Sequence, residues 1–113
     1  MAAAKSRIKE LPPSDSQSKL TNQPSIVLLD VREDNEWANG HAKGAVHMGR
    51  GVIDLQIEER YPDKENTEFM VYCQSGGRAA MVCDLMQELG YKKVTSVQGG
   101  YKAILGAGWE ITK

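Results

Sequence analysis

At 113 residues, with 41% apolar and 26% charged side chains, the chain has the size and balance of one globular domain able to build a core without disulfides or metal. A formal net charge of −1 argues against general nucleic-acid binding, which needs a basic excess. No apolar run approaches the roughly 20 residues of a membrane span, and the first residues lack the apolar stretch of a secretory signal, so a cytoplasmic protein is expected.

Residues 1–25 carry the weakest pattern. Arg7 to Leu11 reads as a short strand ended by Pro12-Pro13, and Ser14 or Asp15 as the cap of a brief helix through Leu20. Asn22-Gln23-Pro24 reads as a turn. This N-terminal segment is expected to belong to the same domain as the body of the fold, 26–113.

Ile26 to Val31 is the clearest strand. Its apolar residues do not alternate, which predicts a strand covered on both faces, as in a parallel sheet. Arg32 to Ala38 reads as a short helical turn with acid near its start, closed by Asn39-Gly40. His41 to Gly44 reads as a loop, Ala45 to Met48 as a very short strand, and Gly49-Arg50-Gly51 as another loop. Val52 to Tyr61 has the spacing of a helix, and Pro62 ends it.

A strand is predicted at 68–72, followed by the loop Cys73-Gln74-Ser75-Gly76-Gly77-Arg78. A helix then carries the apolar stripe Ala79, Val82, Cys83, Met86 and Leu89, and ends at Gly90. Val94 to Val97 reads as a strand and Gly99-Gly100 as a tight turn. Tyr101 to Leu105 reads as a short helix, and the rest as a tail anchored by Trp109. Short strands alternating with helices predict an α/β layer fold with a mainly parallel sheet. In such folds the reactive site lies at the carboxyl ends of the strands, where Cys73 falls.

A cysteine between a strand and a helix start faces unpaired backbone N–H groups and the positive end of the helix dipole. Those features favour the thiolate, the nucleophilic form. Cys73 is therefore the candidate nucleophile, with Gln74, Ser75, Gly76, Gly77 and Arg78 as its binding loop. Cys83 lies on the apolar stripe and reads as a core thiol; a resolving role toward Cys73 is the alternative. Asp30 and Arg32 are expected to be structural near the site, with Asp30 accepting hydrogen bonds from loop N–H groups or an arginine. His41 is expected to pack beneath the loops. Arg50 and His47 are candidates for the pocket rim, Arg50 as a contact for an anionic substrate. Trp37 and Trp109 read as packing residues. No Cys/His cluster has metal-ligand spacing, and neither a metal nor a cofactor is expected.

Several stretches in this order resemble the rhodanese (sulfurtransferase) domain. They are Asp30-Val31-Arg32-Glu33, Glu36-Trp37, Gly40-His41, Gly44-Ala45, Cys73 to Arg78, Leu89-Gly90-Tyr91 with Val94, and Gly99-Gly100 before Trp109. The resemblance covers roughly residues 26–110. It implies a three-layer α/β/α fold with a mainly parallel five-stranded sheet, and a persulfide formed on Cys73 and cradled by loop N–H groups. The donor implied is a small sulfur anion, thiosulfate or a persulfide. The acceptor is cyanide, a thiol or a protein, with no nucleic acid or membrane involved; a monomer fits, and the oligomeric state stays open.

Chemically, a thiolate attacks the outer sulfur of the donor, and a second nucleophile then removes that sulfur from the enzyme. A nest of N–H groups at a helix start suits the anionic terminal sulfur. Arg78 adds a charge that attracts anionic donors. Four residues separate Cys73 from Arg78, one fewer than in the Cys-x5-Arg loop of cysteine-dependent phosphatases, so the ring suits sulfur better than phosphate. A rhodanese-fold phosphatase or arsenate reductase remains an alternative, as does a non-catalytic binding module. The residue after the cysteine is basic in many thiosulfate-active members. Here it is Gln74, so a persulfide donor fits as well as thiosulfate.

Overall fold

The structure is a computed structural model that describes residues 8–49, 53–74 and 77–112, apart from the side chains of Asp54 and Leu55. Five parallel strands form the main sheet in the order β1-β6-β5-β2-β4: β1 Lys9–Leu11, β2 Val27–Asp30, β4 Val46–His47, β5 Glu68–Tyr72 and β6 Lys93–Val97. Helices α1 Pro13–Asn22, α2 Asp34–Ala38, α3 Ile53–Arg60, α4 Gly77–Glu88 and α5 Gly100–Gly106 connect them. This is the α/β/α architecture expected from the alternation of strands and helices.

The unbroken apolar strands are explained by the two faces. Leu29, Phe69 and Val71 point into one core cluster, with Ile53 and Ile57 of α3 and Ala79, Val82, Cys83 and Met86 of α4. Leu28, Met70 and Tyr72, their chain neighbours, point into the other, with Tyr101 and Ile104 of α5 and Trp109. Successive side chains of a strand leave opposite faces, so a strand buried on both must be apolar throughout.

Local chemistry sets the helix ends. Helix α1 begins at Pro13, with Pro12 before it and no side-chain cap. The expected cap at Ser14 or Asp15 is displaced because proline's fixed φ and missing N–H suit the first helical position. Helix α4 ends where Gly90 takes φ +104; Tyr91 N–H then reaches the Met86 carbonyl at 3.0 Å and Gly90 N–H that of Gln87 at 3.0 Å, closing the last turn.

Two sequence expectations are corrected. His41-Ala42, read as loop, is strand β3, and the C-terminal tail contains strand β7 Ile111–Thr112. The two pair antiparallel, His41 with Thr112 and Ala42 with Ile111. Two residues per strand give no periodicity to detect, and the pairing arises only when the tail folds back. Trp109 fixes that return: it is buried and its Nε1–H donates to the Pro13 carbonyl at 3.2 Å. Among the described residues no helix is long and apolar enough to cross a membrane.

Candidate functional site

The carboxyl ends of β2, β4 and β5 lie side by side, with Asp30 in register with both His47 and Tyr72. Cys73 follows Tyr72 directly, so the strand ladder delivers it to that edge, four residues before α4 begins at Gly77. It is buried, 1% exposed, at the base of its loop. Helix α5 holds the loop from the other side: Tyr101 N–H donates to the Cys73 carbonyl at 2.7 Å and Lys102 N–H to that of Gln74 at 3.3 Å. Ser75 and Gly76 of the expected loop, and Arg50 of the expected rim, lie outside the described residues.

Arg78, in the first turn of α4, faces α2. Its Nη1 and Nη2 donate to Oε1 and Oε2 of Glu36 at 3.0 and 3.2 Å, and Glu33 lies 3.7 Å away. Glu36 Oε1 also accepts the Glu33 backbone N–H at 2.9 Å. The Arg78 hydrogen bonds, first among several causes, hold the Glu36 carboxyl below its ordinary range. The same pair holds the Arg78 guanidinium above its ordinary value, and the nearby Cys73 sulfur adds to that.

Beneath the loop lies a buried polar cluster. Asp30 accepts from the Arg32 backbone N–H at 2.9 Å, from Arg32 Nε at 3.1 and 3.0 Å and from Nη2 at 2.8 Å. Tyr72 donates its hydroxyl to Asp30 at 2.6 Å and accepts the Ala42 N–H at 3.1 Å. Burial, reinforced by Asp30, pushes the Tyr72 phenol up, so it stays a donor at physiological pH. Arg32 further donates to the Gly40 carbonyl at 2.6 Å and stacks over the Tyr101 ring at 4.0 Å. The buried charges are thus paired and hydrogen-bonded, as burial demands.

His41 and His47 flank Trp37. The His41 ring stacks on it at 3.4 Å and the His47 ring at 4.9 Å. A carbonyl can only accept, so His41 Nδ1 is the donor to the Trp37 carbonyl at 3.1 Å and His47 Nε2 the donor to that of Arg32 at 2.9 Å. Cys83 is fully buried in α4, and burial, with a smaller contribution from Cys73, pushes its thiol up. An open depression of about 420 Å³ adjoins the loop, lined by Arg32, Glu36, Asn39, Gln74, Tyr101 and Leu105 among others. Among the described residues no three His, Cys, Asp or Glu come together as a metal site.

The sequence reading gave no role to Glu36, Tyr72 or Tyr101. Glu36 carried one local signal, its position three residues after Glu33 at a helix start, which is that of a capping glutamate. Its pairing with Arg78, 42 residues away, leaves no trace in local spacing.

A parallel sheet between two helical layers, with a cysteine loop at its carboxyl edge, defines a narrow class of α/β folds. The chain belongs to the rhodanese-like domain family, whose model matches residues 14–107. It is 38% identical over 96 residues to a Bacillus subtilis (strain 168) protein named "Putative sulfurtransferase YtwF", covering 85% of this chain and 89% of that one. Some curated relatives are longer: the chain is 32% identical to the tRNA uridine(34) hydroxylase of Chlamydia felis (strain Fe/C-56), with 88% of this chain aligned but only 33% of the hydroxylase. Among solved structures, thiosulfate sulfurtransferase from Pseudomonas aeruginosa superposes with a TM-score of 0.83 at 28% identity, over 94% of this chain and 20% of that one. A Rhodopseudomonas palustris CGA009 protein of unknown function, called "Possible Tyrosine Phosphatase", superposes with a TM-score of 0.87 at 27% identity, over 98% and 89%.

Proposed function

We propose that the protein is a sulfurtransferase that moves sulfane sulfur from thiosulfate or a persulfide donor to cyanide, a thiol or a protein acceptor through a persulfide on Cys73. The observation that carries the reading is the placement of Cys73, directly after the carboxyl end of β5 and four residues before the first residue of α4. The start of α4 presents N–H groups lacking helical partners to whatever forms on that sulfur. Relatives named as sulfurtransferases support the same reading.

Cys73 attacks the outer sulfur as a thiolate. The donor's S–S bond breaks, sulfite leaves from thiosulfate, and Cys73 carries S–S⁻. The acceptor nucleophile then attacks the outer sulfur and the Cys73 thiolate is regenerated, a two-step covalent cycle. The N–H groups that open α4 hold the terminal sulfur. Asp30, Arg32, Tyr72 and Tyr101 act as the frame: they tie the ends of β2 and β5 to α5, which grips the Cys73 and Gln74 carbonyls.

Thiocyanate formation from thiosulfate and cyanide tests the proposal. It is expected in the wild type and absent in Cys73→Ser. One solved structure favours a second reading, the neighbour called a possible tyrosine phosphatase. Hydrolysis of a phosphate ester that is lost in Cys73→Ser, without thiocyanate formation, would establish that reading instead.

A further inference from the structure

We infer that Glu36 sets the donor specificity of the Cys73 loop: by engaging both terminal nitrogens of Arg78 it withholds that cation from the donor and selects against dianions. The inference rests on the sulfur-transfer reading and specifies the donor class, a sulfur carrier of low negative charge.

The geometry is that of a matched charge pair. Both Arg78 nitrogens aimed at α2 meet a Glu36 oxygen, at 3.0 and 3.2 Å. Glu33 adds a second carboxylate at 3.7 Å, so one cation faces two anions. Arg78 and Glu36 are about a quarter exposed, so solvent screens the pair less than a free surface pair. Arg32, which lines the depression beside the loop, is matched by Asp30 at 2.8 Å. Gln74 adds a hydrogen-bonding group without charge. An approaching anion therefore meets hydrogen-bond donors but no uncompensated arginine at Arg78. Coulomb energy scales with the product of charges, so the carboxylates penalise a dianion twice as heavily as a monoanion.

Glu36→Gln isolates this effect. Its amide oxygen still accepts the Glu33 N–H and a bond from Arg78, while its charge is gone. The two probes are thiosulfate, a dianion that releases sulfite, and methanethiosulfonate, a monoanion that releases methanesulfinate. In each, Cys73–S⁻ takes the outer sulfur, one S–S bond breaks as another forms, and total charge is conserved. With cyanide as acceptor at low ionic strength, kcat/KM is expected to rise about threefold for the monoanion and about tenfold for the dianion, the square of the monoanion factor. Added salt should shrink both gains.

A purely structural Glu36 would lower kcat/KM for both donors by one common factor, and that result, or no change, overturns the inference. Should Glu36→Gln fail to fold, Glu33→Gln carries the test: Glu33 is 64% exposed, and its removal should raise the thiosulfate value more than the methanethiosulfonate value, by smaller factors. Equal fold-changes from wild type for the two donors in Glu33→Gln would then overturn it. Wild-type protein that takes sulfur from neither donor defeats the sulfur-transfer reading and the inference together. Wild-type transfer with no shift in donor ratio on substitution defeats the inference alone.

Discussion

The backbone N–H of Tyr101 donates to the Cys73 carbonyl at 2.7 Å, so the start of α5 grips the residue proposed as nucleophile. Lys102 N–H repeats the contact one residue on, to Gln74. Both donors come from the first turn of α5, whose N–H groups have no partners within the helix. The loop thus sits between two helix starts, α4 ahead of it and α5 beside it.

That contact depends on Gly99. It precedes α5 with φ +81, and a Cβ there would lie 2.7 Å from the Cβ of Ala103. Neither atom is the end of a flexible chain, so α5 must shift. Gly99→Ala is expected to cost about 1–3 kcal/mol in urea unfolding. The same variant should transfer sulfur more slowly, because the donors to Cys73 and Gln74 move with the helix.

Tyr72→Phe removes the hydroxyl that joins Asp30 to the Ala42 N–H. Asp30 keeps Arg32, but the buried Ala42 N–H is left without this acceptor. A loss of about 1–3 kcal/mol is expected, read as a lower urea midpoint at unchanged m-value.

Much of this frame was legible in the sequence. The doubly apolar strands at 27–30 and 68–72 announced a parallel sheet, and Cys73 fell at the edge that such sheets use. Chain segments far apart in sequence made the rest unreadable. Strand β3 exists only because Trp109 returns β7 to it, and Arg78 meets Glu36 only because α2 and α4 converge on one edge. At the start of α1 two prolines outrank the capping side chains of Ser14 and Asp15, so the helix begins earlier than those residues suggest.

The Arg78–Glu36 pair makes stability depend on acid. The folded-state pKa of Glu36 is depressed, chiefly by Arg78, so its contribution is present above the unfolded value of about 4.3 and is lost as pH falls through the lower folded value. At neutral pH Glu36→Gln should be less stable than wild type by about 0.5–1 kcal/mol, since the pair is partly exposed. Melting curves from pH 7 down toward pH 3 should show the two proteins converge.

Cys83 is buried beside the same core as Cys73, yet burial holds its thiol protonated. Cys83→Ala is expected to destabilise by about 1–2 kcal/mol through the void left in the core while leaving sulfur uptake by Cys73 intact. Loss of uptake in a folded Cys83→Ala protein, followed by thiosulfate labelling, would assign Cys83 a chemical part.

The persulfide on Cys73 is tested most directly by the intact mass of the protein after incubation with thiosulfate or a thiosulfonate and removal of excess donor. The wild type should gain the mass of one sulfur atom, lose it on adding cyanide, and Cys73→Ser should gain none. A folded wild type that gains no sulfur from either donor, or a Cys73→Ser protein that gains as much as the wild type, would contradict the account.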